Sequence, residues 1–166
     1  MSDVEIRVDA IDADHVVVLL RELSRDLNLR YGMNPDEVDE YVFEIPPSLT
    51  SPPHGVFLTA WKDGVLIGCG ALRPGSQAGT VEVKRMYVRA DARGHGISRR
   101  VLRELEAHAA TLGYERLELE TGIMQPEAMH VYETAGWLPI DGYGKWADVD
   151  FTRYFGKAVS RDGDVG

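Results

Sequence analysis

The strand-forming run Thr80 to Val88 leads into Arg93-Gly94-His95-Gly96-Ile97-Ser98 and then straight into an amphipathic helix. Ile97, Val101, Leu102, Leu105, Ala109 and Leu112 recur at helical spacing along one face. Gly113 then ends the helix. The first backbone N–H groups of such a helix have no partner inside it. With the positive end of the helix dipole they form an anion site. Gly94 and Gly96 let a phosphate come close to the backbone, and Arg93 adds a fixed positive charge. A plain glycine turn accounts for the loop equally well, so both readings stay open on the loop alone. Two familiar phosphate loops do not fit. A P-loop ends in Gly-Lys-Ser/Thr, and no lysine stands here. A dinucleotide fingerprint needs a third glycine or alanine where Arg99 stands.

The rest of the chain alternates between the two periodicities. Val4 to Ile11 sets Ile6, Val8 and Ala10 against Glu5, Arg7 and Asp9, as in a half-buried strand. Asp12 or Asp14 caps a helix whose apolar face holds Val16, Leu19, Leu20, Leu23 and Leu27. Gly32 and Pro35 break it, and a second helix is expected over Asp36 to Phe43. Pro46-Pro47 and Pro52-Pro53 bracket a loop. Val56 to Trp61 and Val65 to Leu72 read as a hairpin through Lys62-Asp63-Gly64. After the central helix come a strand from Arg116 to Thr121 and a helix from about Glu127 to Ala135, opened by Pro126 and closed by Gly136. Trp137 to Ile140 and Asp150 to Phe155 read as two last strands. This order defines a mixed α/β domain of about six to seven strands and about four helices. The length of 166 residues fits one such domain over residues 1–159, with a polar tail from Ser160 to Gly166.

Charge and cysteine content narrow the function classes. Eighteen Lys and Arg against 27 Asp and Glu give a net charge of −9. Such a chain repels phosphate backbones and attracts cations, so nucleic acid is excluded as the expected partner and amines stay open. The longest apolar run, Val16 to Leu20, is far below the roughly 18 residues of a membrane span. Cys69 is the only cysteine, which excludes an intrachain disulfide and a cysteine-based zinc cluster. His15, His54 and His108 show no ligand spacing, so no metal site is expected. Met-Ser-Asp-Val-Glu-Ile lacks the features of a secretory signal, and a cytoplasmic location is the default expectation.

Several segments taken together resemble the GNAT superfamily of acetyl-CoA-dependent N-acetyltransferases. They are Val81 to Arg89, the loop Arg93 to Ser98, Leu119-Glu120-Thr121-Gly122, and Pro126 to Trp137. Arg93 and Gly96 match the family pattern Gln/Arg-x-x-Gly-x-Gly/Ala, with Ser98 where Gly or Ala is usual. Ala128, Val131, Tyr132, Gly136 and Trp137 meet a second family pattern. The resemblance implies a single-domain GNAT-type mixed sheet and acetyl-CoA as co-substrate. It implies that the coenzyme A pyrophosphate rests on the amides of Gly94, His95, Gly96, Ile97 and Ser98, beside Arg93. The pantetheine arm would pair with the backbone of Met86, Tyr87 and Val88. The Arg116 strand would splay from its neighbour to admit the thioester.

Acetyl transfer to an amine requires loss of a proton from nitrogen and protonation of the departing thiolate. The resemblance makes Glu82 the first candidate for the base, with Glu120 as an alternative, and Tyr132 the candidate acid. Strand alternation places Glu82, Lys84, Met86 and Val88 on one face. A structural ion pair for Glu82 and a packing role for Tyr132 are the competing readings. His95, His130 and Cys69 read as loop, surface and strand residues. Family analogy draws the acceptor pocket from Tyr31, Glu37, Tyr41, Phe43, Glu44, Tyr143, Trp146 and Asp148. The expected acceptor is a small-molecule amine attacked directly. A protein or peptide amine, a non-catalytic acyl-CoA sensor, and an interaction domain that has lost the site are the alternatives. A homodimer through the last strand or a sheet edge would be common in the family.

Overall fold

The computed structural model describes residues 3–161, so most of the polar tail (162–166) lies outside the described residues. Eleven regular elements follow one another: β1 (Val4–Val8), α1 (Asp14–Arg30), α2 (Asp39–Val42), β2 (Val56–Lys62), β3 (Val65–Pro74), β4 (Thr80–Val88), α3 (Ile97–Thr111), β5 (Arg116–Gly122), α4 (Pro126–Thr134), β6 (Leu138–Pro139) and β7 (Thr152–Ala158). The strands form one sheet in the order β1-β2-β3-β4-β5-β7-β6. Neighbours are antiparallel except β4 and β5, which are parallel and joined through α3. The mixed α/β sheet expected from the sequence is therefore present.

Strand alternation gives each side of the sheet its own core. On one side Val81, Val83, Leu117 and Leu119 pack with Val101, Leu102 and Leu105 of α3 and with Tyr132 and Trp137 at α4. On the other, Phe57, Cys69 and Ala71 pack with Val16, Leu19, Leu20 and Leu23 of α1 and Val42 of α2. The sheet is thus covered on both faces.

One irregularity places the site. β3 and β4 pair Cys69 with Tyr87 and Ala71 with Lys84, so Gly70 faces both Arg85 and Met86. This is a β-bulge, and Arg85 takes a left-handed backbone with φ 58°. An L-residue held there is strained by about 1–2 kcal/mol. Gly70 permits the arrangement. A Cβ on it would sit 2.7 Å from Met86 Sδ and within 3 Å of Val101 and Leu105. The bulge corrects the sequence expectation for this strand. Met86 and Val88 join the α3-side core, Tyr87 packs on the α1-side core, and Arg85 stacks on Tyr41 of α2. The extra residue reverses the alternation, so Glu82 and Lys84 face the side opposite Met86 and Val88.

Other boundaries differ from the sequence reading. α2 keeps only Asp39–Val42, one helical turn after Pro35, and a second short turn covers Pro47–Thr50. β6 shrinks to an exposed edge pair in which Pro139 has no donor to offer. β7 starts later than expected and runs on to Ala158, because it pairs with the whole of β5 from Arg116 to Gly122.

Candidate active site

β4 and β5 pair only through Thr80–Arg116, Val81–Leu117 and Glu82–Glu118. Beyond Glu82 they part, as expected. β4 stays bonded to β3 and β5 to β7, and the two facing edges have no strand between them. Two cavities open at this fork, of about 300 and 930 Å³. They share Leu23, Leu27, Met86, Gln125 and Tyr132.

The smaller cavity is lined by Met86, Tyr87, Val88, Arg93, Gly94, Gly96, Ile97 and Ser98. His95, from the same expected set, is exposed and lies outside this lining. Gly94 and Gly96 have φ of 86° and 75°, and no atom stands within 4 Å of a Cβ built on either. These glycines serve a backbone conformation and an open approach rather than close packing. Gly96 precedes α3 without a side-chain cap, and Arg100 is the first residue whose N–H bonds back, to Gly96 O at 3.2 Å. The N–H groups of Ile97, Ser98 and Arg99 therefore point out of the helix end without an acceptor among the described residues. Arg93 anchors the loop. Its Nε donates to the Val88 carbonyl at 2.9 Å, and its Nη2 lies 3.6 Å from Asp26. A diphosphate fits the bare amides, and an extended amide-bearing chain fits the free edge of β4.

The end of α1 closes over the fork. Arg30 pairs with Glu127 at the start of α4 and donates to the Met124 carbonyl at 3.1 Å. Tyr31 rests on the end of β5, where a Cβ on Gly122 would overlap its hydroxyl.

The larger cavity has a charged floor. Lys84 Nζ meets Glu120 Oε1 at 3.0 Å across the fork, and both residues line the cavity. Glu82 lies behind them and outside the lining, with Lys84 Nζ 3.9 Å from its carboxylate. The Tyr143 hydroxyl donates to Glu82 Oε2 at 2.9 Å. Burial raises the Glu82 pKa, against the pull of Lys84 and the Tyr143 hydrogen bond, and the nearby Glu120 charge raises it further. Burial, followed by the Glu82 charge, also pushes the Tyr143 phenol up. Tyr132 stands where the two cavities meet, its ring packed against Trp137 and Phe155. Its hydroxyl has no hydrogen-bond partner among the described residues, and burial raises its pKa. That phenol stays protonated throughout the physiological range.

Of the expected acceptor residues, Tyr31, Glu37, Tyr41, Glu44 and Trp146 line the larger cavity. Phe43 and Asp148 are exposed and lie outside it, and Tyr143 instead holds Glu82. Sequence reasoning missed the Lys84–Glu120 bridge, the cavity-lining role of Arg85, and Glu118, which Ser76 binds through its amide and, at 2.8 Å, its hydroxyl. A signal for the bulge was available in Gly70, since glycine inside a strand often marks one. Among the described residues no cluster of His, Cys, Asp or Glu could hold a metal ion, and no helix is long and apolar enough to cross a membrane.

Residues 19–137 match the acetyltransferase (GNAT) family. An IAA acetyltransferase of Azospirillum brasilense is 32% identical over 146 residues, 88% of this chain and 92% of that protein. A GNAT-family acetyltransferase from Staphylococcus aureus shares the fold with a TM-score of 0.76 at 16% identity, covering 95% of this chain and 100% of the other. The PaiA N-acetyltransferase of Thermoplasma acidophilum, solved in complex with coenzyme A, superposes with a TM-score of 0.69 at 20% identity, covering 94% and 99%. The chain belongs to the GNAT family of N-acetyltransferases, which use acetyl-CoA.

Proposed function

We propose that this protein transfers acetyl from acetyl-CoA to the primary amine of a small molecule by direct attack. The observation that carries the reading is Tyr132, a largely buried residue that lines both cavities where the glycine-loop groove meets the larger one. The amides from Gly94 to Ser98 would hold the diphosphate, and the free edges of Met86, Tyr87 and Val88 would align the arm. Pantetheine brings a thioester to the fork, and the amine approaches from the larger cavity. Its nitrogen bonds to the thioester carbon as the carbon–sulfur bond breaks. Tyr132 gives its proton to the departing sulfur, and the proton lost from nitrogen leaves through the carboxylates on the cavity floor. Glu120 lies at that floor, bonded to Lys84, and Glu82, with its raised pKa, stands behind them, 3.9 Å from Lys84 Nζ and held by the Tyr143 hydroxyl.

Cys69 supports direct transfer. It is fully buried, donates to the Arg85 carbonyl, and burial pushes its thiol up to about 12, so it is no nucleophile. A cavity of about 930 Å³ lies within the range of small-molecule sites and favours a small acceptor over a peptide. The test is steady-state thiol release with acetyl-CoA and a panel of amines. Intersecting double-reciprocal lines are expected, and parallel lines would count against direct transfer. Acetyl-CoA binding without turnover on any amine or peptide would favour the sensor reading.

A further inference from the structure

The larger cavity contains a cation whose hydrogen bonding is incomplete. Arg85 lines it from the β4 bulge, with its side chain only 2% exposed. The guanidinium lies 3.7 Å from the centre of the Tyr41 ring. Nη2 donates to the Tyr41 carbonyl at 3.0 Å. Glu44, 42% exposed, reaches the same nitrogen only at 3.7 Å. Nε is sealed from the cavity and Nη1 is not, and neither has a hydrogen bond among the described residues. Donors in folded proteins are almost always satisfied, so the free Nη1 end of the guanidinium points to a ligand atom. The adjacent cation offers a contrast, because Lys84 is paired with Glu120 at 3.0 Å.

The chemistry of the missing partner follows from the donor. A guanidinium keeps its charge at any working pH, and its planar fork matches a carboxylate. Around it the same cavity is lined by Asp36, Glu37 and Asp39. That rim repels a purely anionic ligand and attracts an ammonium group. A molecule carrying both charges satisfies both parts of the cavity. We infer that the acceptor is an amine that bears its own carboxylate, an amino acid or a compound of that class. Its carboxylate meets the Nη1 end of the Arg85 guanidinium, and its amine faces Glu120 and Tyr132. The left-handed backbone at Arg85 is the local distortion that holds this side chain in the cavity wall.

This inference rests on the amine-acetylation reading, and the test separates the two. L-amino acids and their α-carboxamides are compared as matched acceptors by thiol release, and as ligands by calorimetry in the presence of coenzyme A. Each reactive acid should exceed its amide at least tenfold in kcat/KM. Arg85→Gln should lower the acid's kcat/KM by about 10- to 100-fold, mainly through KM, the usual range for a hydrogen bond to a charged group. Arg85→Lys should recover part of that loss. If the glutamine variant does not fold, the wild-type comparison of acid with amide decides alone. Equal use of acid and amide overturns the inference, as does a preference that survives in Arg85→Gln. If no amine of any kind is acetylated although acetyl-CoA binds, the acetyl-transfer reading fails. The carboxylate inference is then decided by whether acids bind more tightly than amides.

Discussion

Tyr132→Phe removes one oxygen and little else. The ring sits 6.1 Å from the rings of both Trp137 and Phe155, and phenylalanine keeps those contacts. The hydroxyl has no partner among the described residues, so the fold loses no hydrogen bond and stability should change by no more than about 0.5 kcal/mol. The cost should fall on chemistry. A positioned general acid contributes about 10²–10⁴ in rate, or about 3–5 kcal/mol of barrier. Because burial raises the Tyr132 pKa, the wild-type enzyme should keep this acid protonated, with no falling limb from it across roughly pH 6 to 10. The assay is kcat for thiol release over that range, with melting temperature and the acetyl-CoA Kd measured alongside. A drop of about 100-fold or more in kcat, with melting and Kd near wild type, is expected. Full turnover by Tyr132→Phe at every pH would refute the acid role and leave Tyr132 as a packing residue.

Glu82 gives a pH test with a defined sign. Its pKa is raised in the folded state, so its contribution to stability is fully present below the ordinary carboxylate pKa and is lost as pH rises through the raised value. Denaturant melts should therefore show Glu82→Gln gaining on wild type between about pH 4 and neutrality, and a gain toward acid would contradict the burial argument. If Glu82 relays the proton, wild-type turnover rises through the same raised value, and Glu82→Gln flattens that limb. Cys69 should not react with a thiol reagent in the native protein and should titrate as one thiol per chain after unfolding. A rapidly reacting thiol in the native state would show the strand opening in solution.

The glycine loop was more legible in the sequence than the larger cavity, for a physical reason. A phosphate loop is local. Strand, glycines, arginine and helix are contiguous, so Arg93 to Ser98 and the α3 face could be read from spacing. Tyr132 came from the family resemblance, carried by a pattern within and just after one short helix. The acceptor cavity joins segments far apart in the chain, including 36–44, 84–86, 120–125 and 145–152. Nothing in their local periodicity reports which side chains meet. The bulge is the clearest example. Alternation placed Glu82 and Lys84 with Met86 and Val88, and one extra residue at Arg85 reversed the second pair. The Tyr143–Glu82 bond likewise depends on a late loop returning to β4 across 61 positions.

Calorimetric titration of the purified protein with acetyl-CoA tests the central claim most directly, with Gly96→Trp as the comparison. Gly96 has φ 75°, lines the smaller cavity and has no neighbour within 4 Å of a Cβ, so an indole there meets that cavity rather than the core. The account predicts saturable one-site binding by the wild type and its loss in a variant that still melts cooperatively. A folded wild-type protein that does not bind acetyl-CoA would contradict it.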